Sequence, residues 1–186
     1  MPYDPELHHR KSIRWKAYDY SSRGLYFVTV CTHRRMPILS RIEHRKVVLT
    51  SCGEIVRAGW CAIPQRFPSI EVGPFVVMPN HLHGILAIIS KTEKEGAASS
   101  APTIGEIIRA SKSLSAQLIH SQCGTAGQVW QRNYYEHVIR EGRDHRIISR
   151  YIWENPARWQ WDPENSASKA PDATLPWEQF KTKCGP

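Results

Sequence analysis

Two histidines one residue apart, His81 and His83, interrupt the apolar stretch FVVMPNHLHGILAII at residues 75–89. In an extended strand, residues i and i+2 point to the same face, with Cα atoms roughly 6.5–7 Å apart. The two imidazoles are then neighbours, while Leu82 points the other way into the core. That spacing suits two ligands to one metal ion. It also suits two half-exposed polar residues on the solvent face of an edge strand, which is the commoner use of histidine. The flanking FVV and ILAII favour a central strand, where an imidazole without a partner costs about 1–3 kcal/mol. Two ligands do not hold a metal firmly, and a third must come from another element. The sequence has no H-E-x-x-H and no nearby cysteine, and Ile85 takes the next position on that strand face, so zinc-protease and three-histidine readings are weak.

A second constellation lies near the end of the chain, in RYIWENP. Tyr151 and Asn155 are four apart and share one helical face. Packed against the face that carries His81 and His83, Asn155 can serve as a third ligand and Tyr151 as a nucleophile. Taken alone, Tyr151 would be an ordinary core tyrosine and Asn155 a helix-terminal residue before proline. A phenol with an ordinary pKa of about 10 is a poor base but a stable oxygen nucleophile. Its attack on a phosphodiester stores the energy of the broken bond in a phosphotyrosine, so a free hydroxyl can reverse the step. A divalent cation would polarise the phosphate. The set fits cleavage and rejoining of DNA strands.

These residues need a scaffold. Residues 1–24 read as a basic, irregular arm and residues 25–32 (LYFVTVCT) as a strand. Apolar residues at Val47, Val48, Ile55, Trp60 and Ile63 predict a helix over 42–63, ended by Pro64. Residues 69–79 and 81–89 read as two strands of a hairpin turned at Pro79-Asn80. Residues 90–102 (SKTEKEGAASSAP) read as a flexible loop. Thr103, with Glu106 three residues later, predicts a capped helix whose inner face is Ile104, Ile107, Ile108, Leu114 and Leu118. Residues 128–139 read as a strand, 143–155 as a helix stopped by Pro156, and 157–186 as a partly disordered tail, with DPENSASKAPDATLP its disordered part and Trp177 and Phe180 able to dock. The order β-α-β-β-α-β-α predicts an α+β, ferredoxin-like split βαβ domain over 25–156: an antiparallel sheet with helices on one face.

The chain has 186 residues, enough for one domain with its own core. No run of 18 apolar residues predicts a membrane span, and the opening MPYDPELHHRKS lacks the apolar core of a secretory signal. Five cysteines without a C-x-x-C pair suit reduced thiols in a cytoplasmic protein. The formal net charge is +8, and residues 1–46 hold ten Lys/Arg against four acids. A polyanion is the natural partner of such a surface.

Five blocks occur in order: GLYFVTVCTHRR, VVMPNHLHGIL, GEIIRASKS, VWQRNYYEHVIR and RYIWENP. Together, over about residues 13–161, they resemble the HUH-type, IS200-like transposases, in the branch of REP-associated tyrosine transposases. The resemblance implies a ferredoxin-like fold and metal-dependent cleavage of single-stranded DNA through a 5′-phosphotyrosine with a free 3′-hydroxyl. It makes His81 and His83 metal ligands and Tyr151 the nucleophile. Asn155 stands where many members have glutamine, one methylene longer. The implied cofactor is magnesium or manganese, and imidazole ligands favour manganese. The implied partner is single-stranded or hairpin DNA, bound by a monomer or a homodimer.

Arg34, Arg35, Arg109, Lys112 and Arg132 are candidate phosphate contacts, each equally readable as a solvated cation. Trp15, in the basic arm, is a candidate base-stacking residue. Tyr135 and His137 share a strand face and are candidates for supporting the site, with Tyr135 a secondary choice of nucleophile. Two other classes of function compete: a DNA-hairpin-binding module without turnover, and a metal-dependent phosphohydrolase of small nucleotides.

Overall fold

The computed structural model describes residues 22–89, 102–165 and 167. Most of the predicted arm with Trp15, the loop at 90–101 and the tail beyond 167 with Trp177 and Phe180 lie outside the described residues. Four strands form the main sheet: β1 (Gly24–Cys31), β4 (Ile70–Val77), β5 (His81–Ile88) and β6 (Tyr135–Ile139). Their order is β4-β5-β1-β6, and each neighbouring pair is antiparallel. Without the small hairpin of β2 (Ser40–Glu43) and β3 (Lys46–Leu49), the first crossover carries α1 (Ser51–Cys61) and α2 (Ile63–Arg66), and the second α3 (Ile104–Cys123). This is the expected split βαβ arrangement.

Alternation along the central strands decides which face does what. Tyr26, Val28 and Val30 of β1 and Leu82, Leu86 and Ile88 of β5 pack with Val56 and Trp60 of α1 and with Ile104, Ile107, Ile108 and Ile119 of α3. Each fully buried isoleucine there contributes about 1.5–3 kcal/mol. Gly84 sits on this face because a Cβ would lie 2.6 Å from the Trp60 ring. The opposite face carries Phe27 and Ile85, covered by Ile148 and Ile152 of α4 (Gly142–Glu154). The predicted capping box of α3 is present: the Glu106 amide donates to Thr103 Oγ1, and the Thr103 amide donates to the Glu106 carboxylate. The inner face of α3 uses Ser115 and Ile119, while Leu114 is 43% exposed.

Three boundaries differ from the sequence reading. The helix predicted over 42–63 begins only at Ser51, because Thr50 caps it by accepting from the Gly53 amide. The preceding residues form the β2–β3 hairpin, turned by His44 and Arg45 at φ 48° and 64°. Hairpin turns of this hand favour Asn-Gly or Asp-Gly, so His-Arg gave no turn signal. The strand predicted over 128–139 is confined to Tyr135–Ile139, plus a single bridge between Thr32 and Trp130. The Lys112 ammonium donates to the carbonyls of Gln131, Arg132 and Asn133, which takes those groups out of the ladder. Finally, Pro156 does not stop the chain's helical course. It stands in the first turn of a 3-10 helix, Asn155–Trp161, where a missing N–H costs little. No helix among the described residues is long and apolar enough to cross a membrane.

Candidate active site

β5 pairs with β4 on one side and β1 on the other, so His81 and His83 stand on a central strand and are 0% and 1% exposed. Their rings face α4 and are 4.3 Å apart between centroids. Each ring is held by a neighbour. Asn80 Oδ1 lies 2.8 Å from His81 Nδ1, and since an amide oxygen only accepts, Nδ1 carries the proton and leaves the Nε2 lone pair bare. Thr29 Oγ1 lies 2.8 Å from His83 Nδ1 across the β1–β5 pair. The same pattern of a held Nδ1 and a presented Nε2 prepares imidazoles for a metal. Burial pushes the pKa of both rings down, that of His83 to about 3. For His81, the second ring and the Arg35 guanidinium add to the effect. Both rings are therefore neutral near pH 7.

Tyr151 reaches this pair from α4. Ile148 and Ile152 fix the helix on the sheet, and Tyr151 shares their stripe. Its hydroxyl is 3.2 Å from His83 Nε2, and the two rings are 5.2 Å apart. Burial raises its pKa, and the charges of Asp162 and Glu164 raise it further, while a hydrogen bond with Asn155 acts the other way. The phenol is thus protonated at rest.

Asp162 was missed in the sequence, where it lay in the segment read as disordered. Residues 162–165 instead form an ordered turn at the site. Asp162 Oδ1 accepts from the Glu164 amide at 2.7 Å, and Asn80 Nδ2 donates to the Glu164 carbonyl at 2.7 Å. Asp162 is 4% exposed, with Oδ2 at 4.0 Å from His81 Nε2. His81, His83 and Asp162 offer ligand atoms all within 4.8 Å of one another. Asn155 Nδ2 donates to Asp162 Oδ2 at 2.6 Å, so the amide group that sequence placed as a ligand is tied to a carboxylate. Two further atoms, His81 Nε2 and Asn155 Oδ1, are buried without a hydrogen-bond partner. Burial also raises the Asp162 pKa. Bare acceptors and a desolvated carboxylate around one point are the donor set a divalent cation would complete.

The other sequence candidates divide by position. Arg35, in the turn after β1, binds the Glu164 carboxylate at 2.8 Å and the Pro163 carbonyl at 3.0 Å, so it anchors the segment that brings Asp162 in. Arg34 beside it is exposed. Both hold left-handed backbone, at φ 50° and 55°. Tyr135 is the cross-strand neighbour of Thr29, and His137 that of Phe27, both on the histidine face. Arg109 is exposed and Lys112 is bound to carbonyls, both on α3 and so on the far side of the sheet. Arg132 is exposed in the loop that Lys112 holds. Asn80 and Thr29, which orient the rings, were not singled out in the sequence. The only signal for Asp162 was Asp-Pro, a turn former.

No family model matches the chain. An uncharacterised protein of Haemophilus influenzae is 36% identical over 172 residues, which cover 86% of this chain and 95% of that protein. The REP-associated tyrosine transposase of Escherichia coli is 28% identical over 142 residues, 76% of this chain and 72% of its own length. A solved structure of a REP-associated tyrosine transposase bound to a REP hairpin superposes with a TM-score of 0.55 at 25% identity, over 80% of this chain and 76% of that one.

Proposed function

Because this chain belongs to the IS200-like transposase family, we propose that it cleaves and rejoins single-stranded DNA near hairpins, with Tyr151 as nucleophile. The observation that carries the reading is the approach of the Tyr151 hydroxyl to 3.2 Å from His83, inside the buried group formed with His81 and Asp162. The binding of a REP hairpin by the structural relative supports hairpin DNA as the partner.

The step balances simply. The Tyr151 phenol gives up its proton as its oxygen forms a bond to phosphorus, the bond from phosphorus to the 3′-oxygen breaks, and that oxygen takes up one proton and leaves as a 3′-hydroxyl. The 5′ side stays attached to the tyrosine. Attack by a 3′-hydroxyl reverses this and reseals a strand. His81, His83 and Asp162 would hold the cation, with the Asn155 carbonyl oxygen as a further donor. When bound, such a cation supplies positive charge that favours phenolate and polarises the scissile phosphate. The residues themselves do the rest. Asn80 and Thr29 keep the Nε2 atoms presented, and neutral imidazoles need no deprotonation to act as ligands. α4 holds the phenol at a fixed distance, which reduces the entropy lost on attack. Burial removes competing water from around Tyr151.

A labelled hairpin oligonucleotide incubated with manganese tests this. We expect a protein–DNA adduct that survives SDS and is absent in Tyr151→Phe, which still binds the hairpin. Binding by wild type without any adduct would leave a DNA-binding module instead. Turnover of free nucleotides without adduct would point to a phosphohydrolase.

A further inference from the structure

The helix that follows Tyr151 exposes an aromatic surface that the chemistry above does not use. Trp161 is 53% exposed, although it immediately precedes the buried Asp162. In a 3-10 helix of about three residues per turn, side chains three apart eclipse one another. The face that carries Asn155 therefore continues through Arg158 to Trp161. Asn155 is buried against Asp162, whereas Arg158 has a side chain 61% exposed and shares the Glu154 carboxylate with Arg150. One line of side chains thus runs outward from the site: amide, guanidinium, indole. Trp159, between them, has its ring 6.0 Å from that of His81, so the two tryptophans of this helix differ in their surroundings.

An indole left in water forgoes the stabilisation of burial, roughly 1.5–3 kcal/mol for a large side chain. A nucleobase gives such a ring a partner, since stacking on an aromatic side chain works for any base, and a neighbouring guanidinium suits the accompanying phosphate. The chain's net charge of +8 favours the same ligand.

We propose that Trp161 is a stacking platform for an unpaired nucleotide adjoining the scissile phosphate, with Arg158 beside that nucleotide's backbone. Trp161 is a positioning residue: it fixes the register of the strand before Tyr151. The inference rests on the DNA-cleavage reading of the same site and names the residues that align its substrate.

The test uses the full chain and a synthetic DNA hairpin with single-stranded flanks. These flanks carry 2-aminopurine at successive positions. In Tyr151→Phe, which isolates binding, one flanking position is expected to be quenched, and adding Trp161→Ala should remove that quench. In the catalytically intact chain, Trp161→Ala should raise the DNA concentration for half-maximal adduct about tenfold. Trp161→Tyr should stay within about threefold of wild type, and Trp153→Ala, at a still more exposed indole on α4 (70%), should change nothing. An abasic site at the quenched position should cost wild type the same factor and cost Trp161→Ala nothing more. If Trp161→Ala matches Trp153→Ala, or the abasic penalty persists unchanged in Trp161→Ala, the platform is refuted while adduct formation still stands. A quench without any adduct in wild type refutes the cleavage reading and leaves the platform. No DNA binding in any variant refutes both.

Discussion

Replacing Thr29 with valine removes one hydroxyl and almost no volume. Thr29 is buried, and its Oγ1 lies 2.8 Å from His83 Nδ1. On the other side of that ring, the Tyr151 hydroxyl lies 3.2 Å from Nε2. The arrangement closes with one proton per bond when His83 Nδ1–H donates to Thr29 and the phenol donates to Nε2. Valine would leave a buried N–H without an acceptor, a loss of about 1–3 kcal/mol. For a chain of this length, each kcal/mol moves the melting temperature by roughly 2–4 °C. Metal-free Thr29→Val should therefore melt roughly 2–12 °C lower. Released from its neighbour, the ring can turn or change tautomer, and residues in this orienting position are worth about 10–100-fold in metal affinity. Manganese titrations followed by calorimetry or electron paramagnetic resonance should show that weakening, and Thr29→Ser, which keeps the hydroxyl, should largely escape it. Unchanged manganese affinity in Thr29→Val would refute the orienting role. So would a Thr29→Ser loss as large as that of valine.

Asp162→Asn keeps the shape of the turn but removes the charge, and manganese affinity should fall by at least about tenfold in the same titration. Gly84→Ala would drive a methyl into the Trp60 ring, 2.6 Å from the added Cβ. Overpacking of this kind costs about 1–3 kcal/mol, so thermal melts should show a fall of several degrees without new chemistry at the histidines. Stability should also fall with acid. His83 is held at about 3 in the folded chain and returns to about 6.5 when unfolded, and His81 shifts in the same direction. Between those values the unfolded chain binds more protons, so each histidine adds a slope of about 1.4 kcal/mol per pH unit as the pH drops below 6.5. Metal-free melts between pH 7 and 4 should show it, and a flat profile would contradict the burial of the imidazoles.

The parts of the site that sequence made legible are those set by short-range periodicity. His81 and His83 share a face because strands repeat every two residues, and Tyr151 joins Ile148 and Ile152 because helices return near every fourth. The same rule failed over 42–63, where Val47 and Val48 satisfied a helical face yet belong to a hairpin whose His-Arg turn carries no glycine. Asp162 was hidden for a different reason. Its Asp-Pro turn could be read, but its place beneath the sheet depends on Arg35 and Asn80, far away in sequence, gripping Pro163 and Glu164. Likewise, Arg109 and Lys112 of α3 could be read as phosphate contacts, yet Lys112 directs its charge to backbone carbonyls.

Leu82 and Gly84 face the helix-packed core while His81 and His83 face Tyr151. A slip of one residue in β5 would exchange the two sets, exposing the tryptophan shelf to imidazole and the phenol to leucine. If His81, His83 and Asp162 hold a cation as proposed, folding fidelity and ion capture become one variable, and manganese uptake would double as a gauge of how much purified chain has assembled its central ladder correctly.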